Sequence, residues 1–445
     1  MPLGRKNGSG AGEVSLGTAL GTCIFLAGCV GGADVPSRFN TLPGQSAVAA
    51  DAGSLAPQEG AQSALIADLL ARQSVLPSAG PFAQVADAVL DNSSGAAAAE
   101  LRVARLRAEA RAKNWLPQIG QSVNLTSLSG LAASLLVETA LFDQGRRKAE
   151  REFAVADVEV AAVGLSATMN QRVFDGLTHY ITAERARAQL AISGTAAARL
   201  TEFETVMGQR VDGGISDRSE QRVIAQAQAE MQATMAADQD AEASAMAELQ
   251  AIVGRPMAGV HGLDTVGLAS AASEPLSVLL VRGEGSRALA QSRLERSGMM
   301  PGISASANVG PSGMAPGLRM TGAGLLNPGS RAELQALDAT ADVVDRQTAE
   351  AAEAANRRRV AIERQIATLS SRQAQGTEVL QQTKGNLALF TEQYQVGRRS
   401  LLELVGQYDA FARLERDQVS LRYDIALLEL ELARDRGQLI DGARM

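Results

Sequence analysis

The chain has 445 residues, of which 46% are hydrophobic and only 3% aromatic. Aromatic rings usually anchor a globular core, so this balance favours long helices rich in Ala, Leu and Val. Two histidines and two cysteines cannot supply the usual zinc, haem or iron–sulfur ligand sets, and no phosphate-binding loop or HExxH motif is present. A net charge of −7 disfavours a non-specific nucleic-acid binder. We therefore expect no enzyme, no cofactor, no metal and no nucleic-acid partner.

Residues 1–28 have the layout of a signal peptide. A basic start precedes the mostly apolar stretch Val14–Ala27, which is shorter than the roughly 20 residues of a membrane span. Leu26-Ala27-Gly28-Cys29 resembles a bacterial lipobox, so Cys29 is the predicted lipidation site. A plain secretory signal with an incidental cysteine is the alternative. Residues 29–80, rich in Gly, Ala, Ser and Pro, are predicted to form an irregular tether.

The rest of the chain repeats itself at a constant displacement, the one that separates Trp115 from Met299. The corresponding segments are Trp115–Ile119 with Met299–Ile303, Leu141–Arg147 with Leu325–Arg331, and Gln209, Gly213 and Ser216 with Gln393, Gly397 and Ser400. Because three separate segments keep one register, the sequence predicts a tandem of two similar halves. We place the first half at residues 81–272, the second at 273–440 and a tail at 441–445.

Each half is predicted to run from a helix into two short strands, at about 116–142 and about 300–326. Small polar and apolar residues alternate in them, which suits either a membrane strand between water and lipid or an ordinary surface hairpin.

Apolar residues at intervals of three and four follow each strand pair, as in helices that pack side by side. Arg146–Arg210 contains 65 residues without proline, enough for a helix of about 97 Å. Shorter helices return from hairpin tips at about 211–216 and 396–400. The predicted fold class is mainly α, with long coiled-coil hairpins in a tandem repeat and two short β-strand pairs.

The second tip carries a resemblance to a known family. Tyr394–Leu404, with Tyr408, Ala412, Arg422-Tyr423 and Gly437-Gln438-Leu439, resembles the C-terminal signature of TolC-like outer-membrane channels. The duplicated strand starts, the Phe142–Arg146 turn and the lipobox agree with it, over roughly residues 80–440.

The resemblance implies a homotrimer in which the strands of all copies close one barrel in the outer membrane and the helices form a second barrel across the periplasm. A closed ring leaves no strand edge unpaired in lipid, which favours membrane strands over a surface hairpin. The low aromatic content departs from the aromatic girdles of such barrels. Trp115 is either an interfacial anchor or a packed core residue.

The resemblance also implies a periplasmic gate at the tips. Tyr394, Arg399 and Glu403 lie at one tip, and Ser216 and Asp217 lie at the other. We expect Arg399 to pair with Asp217, Tyr394 to hydrogen-bond nearby, and copies of Glu403 to form an acidic ring. Solvated helix-end charges, worth under about 1 kcal/mol each, are the alternative.

The same tips are candidate contacts for a periplasmic adaptor, or membrane fusion, protein. The residues concerned are Gly213, Gly214, Gly397 and Arg398. Plain turns are the alternative, since glycine commonly ends a helix.

The predicted function is an exit duct in the outer membrane of a Gram-negative bacterium, anchored by lipid and extending into the periplasm. An inner-membrane ABC or proton-driven transporter would supply the energy. Gly213–Asp217 and Arg398–Glu403 look more like secretion-associated members, which favours type I protein secretion. Lipidation favours tripartite efflux of drugs or other toxic compounds. An alternative of another class is a periplasmic coiled-coil scaffold or adaptor lipoprotein, although adaptors carry one helical hairpin and this chain is predicted to have two.

Overall fold

The computed structural model describes residues 63–93, 95–127, 130–267, 273–310, 313–321 and 329–444. The predicted signal peptide and Cys29 lie outside these residues. The elements in chain order are α1 Ala64–Ala71, α2 Pro81–Asp91, α3 Ala96–Ala112, β1 Gln118–Ser127, β2 Gly130–Phe142, α4 Arg146–Asp212, α5 Arg218–Val253, α6 Leu276–Met299, β3 Gly302–Gly310, β4 Gly313–Thr321, α7 Ser330–Gln395 and α8 Leu401–Asp435. The predicted fold class, mainly helical with two strand pairs, is confirmed.

The element order contains the predicted repeat. The series α3, β1, β2, α4, α5 is followed by α6, β3, β4, α7, α8. Strand β1 begins at Gln118 and β3 at Gly302, while α4 begins at Arg146 and α7 at Ser330. Both pairs of starts keep the displacement seen in the sequence. At 67 and 66 residues the two helices are each about 100 Å long.

The four strands form one antiparallel sheet in the order β1-β2-β3-β4, so β1 and β4 are its edges. Its register separates polar from apolar side chains. Across the strands, Glu138 pairs with Gln118 and Ser306, and Ser306 pairs with Gly317. The adjacent row, on the opposite face, consists of Ile119, Val137, Ala307 and Pro316. The predicted alternation therefore produces one polar and one apolar face.

Helix α4 is the centre of the helical packing. Helices α3 and α6 pack along the part of α4 nearer the sheet, while α5 and α8 pack along the remainder. Helix α7 packs chiefly against α6 and α8. Within the described residues, no helix combines the length and apolarity that a membrane crossing requires.

The largest apolar core surrounds the middle of α4. Tyr180 and Leu177 of α4 pack there against Phe82 of α2 and Tyr423 of α8. The rings of Phe82 and Tyr180 meet edge to face at 6.2 Å. The Tyr180 hydroxyl donates to the carbonyl of Gly262 at 2.8 Å, which attaches the loop after α5 to this core.

Two terminal segments are more ordered than their composition predicts. The expectation of an irregular tether through residue 80 is wrong for Ala64–Ala71, which is helix α1 and buries Leu69. Beyond it, Arg72, with a side chain only 1% exposed, donates to the carbonyls of Glu274 and Arg436 at 2.8 and 2.5 Å. The predicted tail is also ordered at Gly442, whose amide donates a hydrogen bond to the carbonyl of Arg72 at 2.8 Å and so attaches the tail to the segment after α1.

Candidate gate at the helical turns

The two hairpins end in turns of the same backbone design. In the α4–α5 turn the Ile215 amide donates to the Arg210 carbonyl, and in the α7–α8 turn the Arg398 amide donates to Gln393, both at 2.8 Å. Gly214 and Gly397 occupy the left-handed region at φ +71° and +76°, where glycine avoids a steric penalty.

The second turn comes one residue early in the repeat, because α7 is one residue shorter than α4. The predicted pairing of Gly213 with Gly397 and of Ser216 with Ser400 is therefore wrong by one residue. Gly214 corresponds to Gly397, and Asp217 corresponds to Ser400.

Asp217 caps the N-terminus of α5. Its carboxylate accepts from the Ser219 amide at 2.7 Å and the Glu220 amide at 3.3 Å. The hydrogen bond from the Ser219 hydroxyl, followed by those from the two amides, lowers the pKa of Asp217 below its ordinary value. The carboxylate thus stays charged at neutral pH at an exposed helix end.

Ser400 and Glu403 form a capping box at the start of α8. The Glu403 amide donates to Ser400 Oγ at 3.2 Å, and the Ser400 amide donates to Glu403 Oε2 at 2.9 Å. Arg399 donates to Glu403 Oε1 at 3.0 Å, and its guanidinium lies 4.7 Å from the ring centroid of Phe390. The Ser400 amide and then Arg399 lower the pKa of Glu403.

The residues predicted to form the gate fall into two local groups within one chain. Arg399 and Glu403 are paired with each other, and Tyr394 is half-buried against the same turn. In the described part of the chain no hydrogen bond or ion pair joins Arg399 to Asp217. Their pairing stays a prediction for the assembled protein, and an acidic ring of Glu403 would carry carboxylates already paired with Arg399.

The candidate adaptor contacts Gly213, Gly214, Gly397 and Arg398 are all exposed. Each turn also exposes one aliphatic side chain that the sequence interpretation missed. Ile215 is 71% exposed and Val396 69% exposed, close to the glycine of each turn. An isolated aliphatic residue beside a turn glycine is the signal that points to them.

An apolar cluster lies beneath the two turns and joins both hairpins. It includes Phe203 of α4, Ile224 of α5, Phe390 of α7 and Leu404 of α8. Because the cluster packs the two hairpins together, the two turns are held on one rigid unit. A gate built from both hairpins requires such a connection.

A buried ion pair braces the same hairpins further along. Arg416 of α8 donates to both carboxylate oxygens of Asp238 on α5, at 3.1 Å for Oδ1, and to Ser193 Oγ of α4 at 2.5 Å. Asp238 falls in the seven-residue frame of Ile224, Met231 and Ala245, all buried. Sequence reasoning missed Asp238, although a charged residue at a position of an apolar heptad seam is a signal that could have identified it.

No protein-family model matches the chain, and no curated protein matches it. Solved structures match it in fold. The outer membrane protein VceC of Vibrio cholerae is 16% identical with a TM-score of 0.69, covering 80% of this chain and 96% of that one. The outer membrane channel CmeC of Campylobacter jejuni is 10% identical with a TM-score of 0.70, covering 81% and 86%.

The open-state outer membrane channel MtrE of Neisseria gonorrhoeae is 16% identical with a TM-score of 0.68, covering 81% of this chain and 90% of that one. Each of the three matches covers far more of this chain than one half of the repeat could supply. The fold is therefore that of TolC-like outer-membrane channels.

Proposed function

We propose that this protein is the outer-membrane exit duct of a multi-component export system that spans the periplasm. The observation that carries the proposal concerns α4 and α7, which hold equivalent places in the repeat but differ in how many of their residues are buried. Helix α4 buries residues along its whole length, whereas only Val344 and Ile362 are buried in α7, all of whose residues are described.

The repeat indicates what would cover α7. Helix α4 packs against α3 and α5 of its own half and against α6 and α8 of the other half. Helix α7 has the equivalents of the first two, namely α6 and α8, and lacks the second two. By the same geometry, α3 and α5 of a second copy would occupy the vacant side, where Val343, Val379 and Leu389 are 48–55% exposed. Repeating this contact closes a ring, and the family resemblance supports three copies.

The sheet is suited to the same ring. Its edge strands would pair with those of neighbouring copies, so that no edge remains open in lipid. The apolar face carries Ile119, Leu318 and Met320, which are 70–77% exposed in the single chain. The opposite face carries Glu138, Ser306 and Arg319. A closed barrel would turn the first face to lipid and the second to a water-filled lumen.

The finer parts of the proposal concern partners and cargo. A periplasmic adaptor would contact the turns around Gly214 and Gly397, an inner-membrane ABC or proton-driven transporter would drive export, and Cys29 would carry a lipid anchor. The resemblance of both turns to secretion-associated members supports polypeptide cargo. Deleting the protein from its host should then retain a secreted polypeptide inside the cell. Unchanged secretion together with new sensitivity to toxic compounds would assign small-molecule efflux instead.

The duct is tested with purified protein in a planar bilayer and by its native mass. We expect stepwise ion conductance and three copies per particle. A monomer that does not conduct, and that becomes soluble without detergent after Cys29→Ala, would establish a scaffold lipoprotein instead.

The gate is tested in the same bilayer. If Arg399 and Asp217 pair between copies, Arg399→Ala and Asp217→Ala should each raise single-channel conductance. Arg398→Ala is the matched control, because it removes the same charge from the neighbouring exposed position. Equal conductance in all variants would remove the proposed lock.

A further inference from the structure

A collar of exposed apolar side chains surrounds the end of the sheet that faces the helices. Trp115 lies in the turn between α3 and β1, where its carbonyl accepts a hydrogen bond from the guanidinium of Arg147 on α4 at 3.2 Å. Leu141 and Phe142 end β2 at the same junction of sheet and helices. Trp115 is 64% and Phe142 55% exposed, which excludes a packed core position for this tryptophan within the single chain. The collar consists of Trp115, Leu116, Leu141, Phe142, Ile303 and Met320, which are 43–76% exposed.

Cations lie directly on the helical side of this collar, at the end of α3 and the start of α4. Segments 111–113 and 143–152 contain six Lys or Arg residues and three Asp or Glu residues, although the whole chain carries −7. Lys113, Arg146 and Lys148 are 60–75% exposed. A single carboxylate, that of Glu150, serves both Arg111 and Arg146, at 3.3 and 3.4 Å. Lys113, Arg147 and Lys148 pair with Glu109, Asp143 and Glu152. Four carboxylates therefore face the six cations, and two positive charges remain in excess.

The second half of the chain lacks this excess. The equivalent segments, 295–297 and 327–336, contain Arg296 and Arg331 against Glu295 and Glu333. The tryptophan position is occupied there by Met299. Only the first half therefore combines an exposed aromatic residue with surplus cations. Because the second half forms the same kind of junction without them, the junction itself does not require this combination.

At a membrane surface, aromatic rings settle at the level of the headgroups, and Lys and Arg extend towards the phosphates. Lys113 lies two residues before Trp115, and Arg146 lies four residues after Phe142. We propose that Trp115, Phe142 and the cations Arg111, Lys113, Arg146 and Lys148 bind headgroups of anionic phospholipids in the leaflet that faces the helices. The inference rests on the proposed function, since it requires the sheet to lie in a membrane.

Trp115 is the only tryptophan of the chain, so its fluorescence reports on this site alone. The assembled protein is reconstituted into vesicles in which either phosphatidylglycerol or phosphatidylcholine carries bromine, a quencher, near the glycerol backbone. A cation near an anionic surface contributes about 1 kcal/mol, or about fivefold in affinity. We expect quenching to reveal at least about a fivefold preference for phosphatidylglycerol over phosphatidylcholine.

Two charge-matched variants decide what causes the preference. Lys113→Gln/Lys148→Gln removes two cations of the site, which are 64% and 75% exposed. Arg346→Gln/Arg357→Gln removes two cations of α7, 75% and 72% exposed. All four cations pair with a carboxylate four residues away on the same segment, so the two variants are also matched in their ion pairs. The first variant should lose the preference and the second should keep it.

Three results would overturn the inference. Equal quenching by both lipids in a conducting channel would remove the anionic site and leave the duct intact. An equal loss of preference in both variants would show that the overall charge of the protein, and not this site, causes the preference. A Trp115 that no brominated lipid quenches, in a protein that does not conduct, would remove the membrane location and the proposed function with it.

Discussion

Arg416, Asp238 and Ser193 form a brace that is buried between the helices. Removing one charged partner should lower the free energy of unfolding far more than removing an exposed ion pair would. The side chains of Arg416 and Asp238 are only 17% and 8% exposed. Asp238→Ala would leave a guanidinium buried without its counter-ion, which costs about 3–5 kcal/mol. Unfolding of the 365 described residues carries an entropy of about 0.8 kcal/mol/K, so the thermal midpoint should fall by about 4–6 °C.

Circular dichroism of the purified protein during heating measures this midpoint. In Asp238→Leu/Arg416→Met the midpoint should recover to within about 2 °C of the parent, because apolar replacement of a whole buried pair is close to neutral. The matched control is Arg413→Ala. Arg413 of α8 forms an ion pair with Glu230 of α5 at 3.6 Å, between the same two helices, and the two side chains are 64% and 55% exposed. Its cost should stay under about 1 kcal/mol. A double variant no more stable than Asp238→Ala, or a control equally damaged, would refute the reasoning.

Two further predictions use α4 and the second turn. A Cβ at Gly176 would lie 2.6 Å from Val89 Cγ2, so Gly176→Ala should cost about 1–3 kcal/mol in thermal unfolding, whereas Gly164→Ala, with nothing within 4 Å, should gain about 0.5–1 kcal/mol. Equal effects would contradict this packing. The pKa of Glu403 is lowered in the folded chain, chiefly by the Ser400 amide, so its stabilisation is complete above the unfolded pKa and is lost as pH falls below about 4.5. Amide-exchange protection of the first turn of α8 should fall in that range and be low already at neutral pH in Glu403→Ala, which has no oxygen to accept from the Ser400 amide. Protection independent of both changes would exclude the capping role.

The long elements could be predicted because their signals are local and repeated. The proline-free stretch Arg146–Arg210 became a helix ending at Asp212, since glycine follows it directly. Asp238 was missed because its meaning depends on Arg416, which is 178 residues away and reaches it only after both hairpins fold. The resemblance led to Asp217 as the partner of Arg399, whereas the capping box turns Glu403 back over the turn, where it meets Arg399 of the same chain at 3.0 Å. Helix α1 was hidden by the Ala-, Gly- and Pro-rich composition of its surroundings.

The unequal turns bear on how a gate could close. One residue fewer in α7 rotates the second turn by about 100° relative to the first, so the two turns share a backbone design but present different side chains. Asp217 is the charged residue between the helices in the first turn, and the second turn carries Arg399, its predicted partner. In a ring of the proposed kind, acidic and basic turns would alternate, and each would meet the other kind in the next copy. The Arg399–Glu403 pair is exposed to solvent, which screens its attraction, so exchanging Glu403 for Asp217 of a neighbour costs little. Closure of the proposed gate would then amount to an exchange of carboxylate partners at each Arg399, without refolding of either turn.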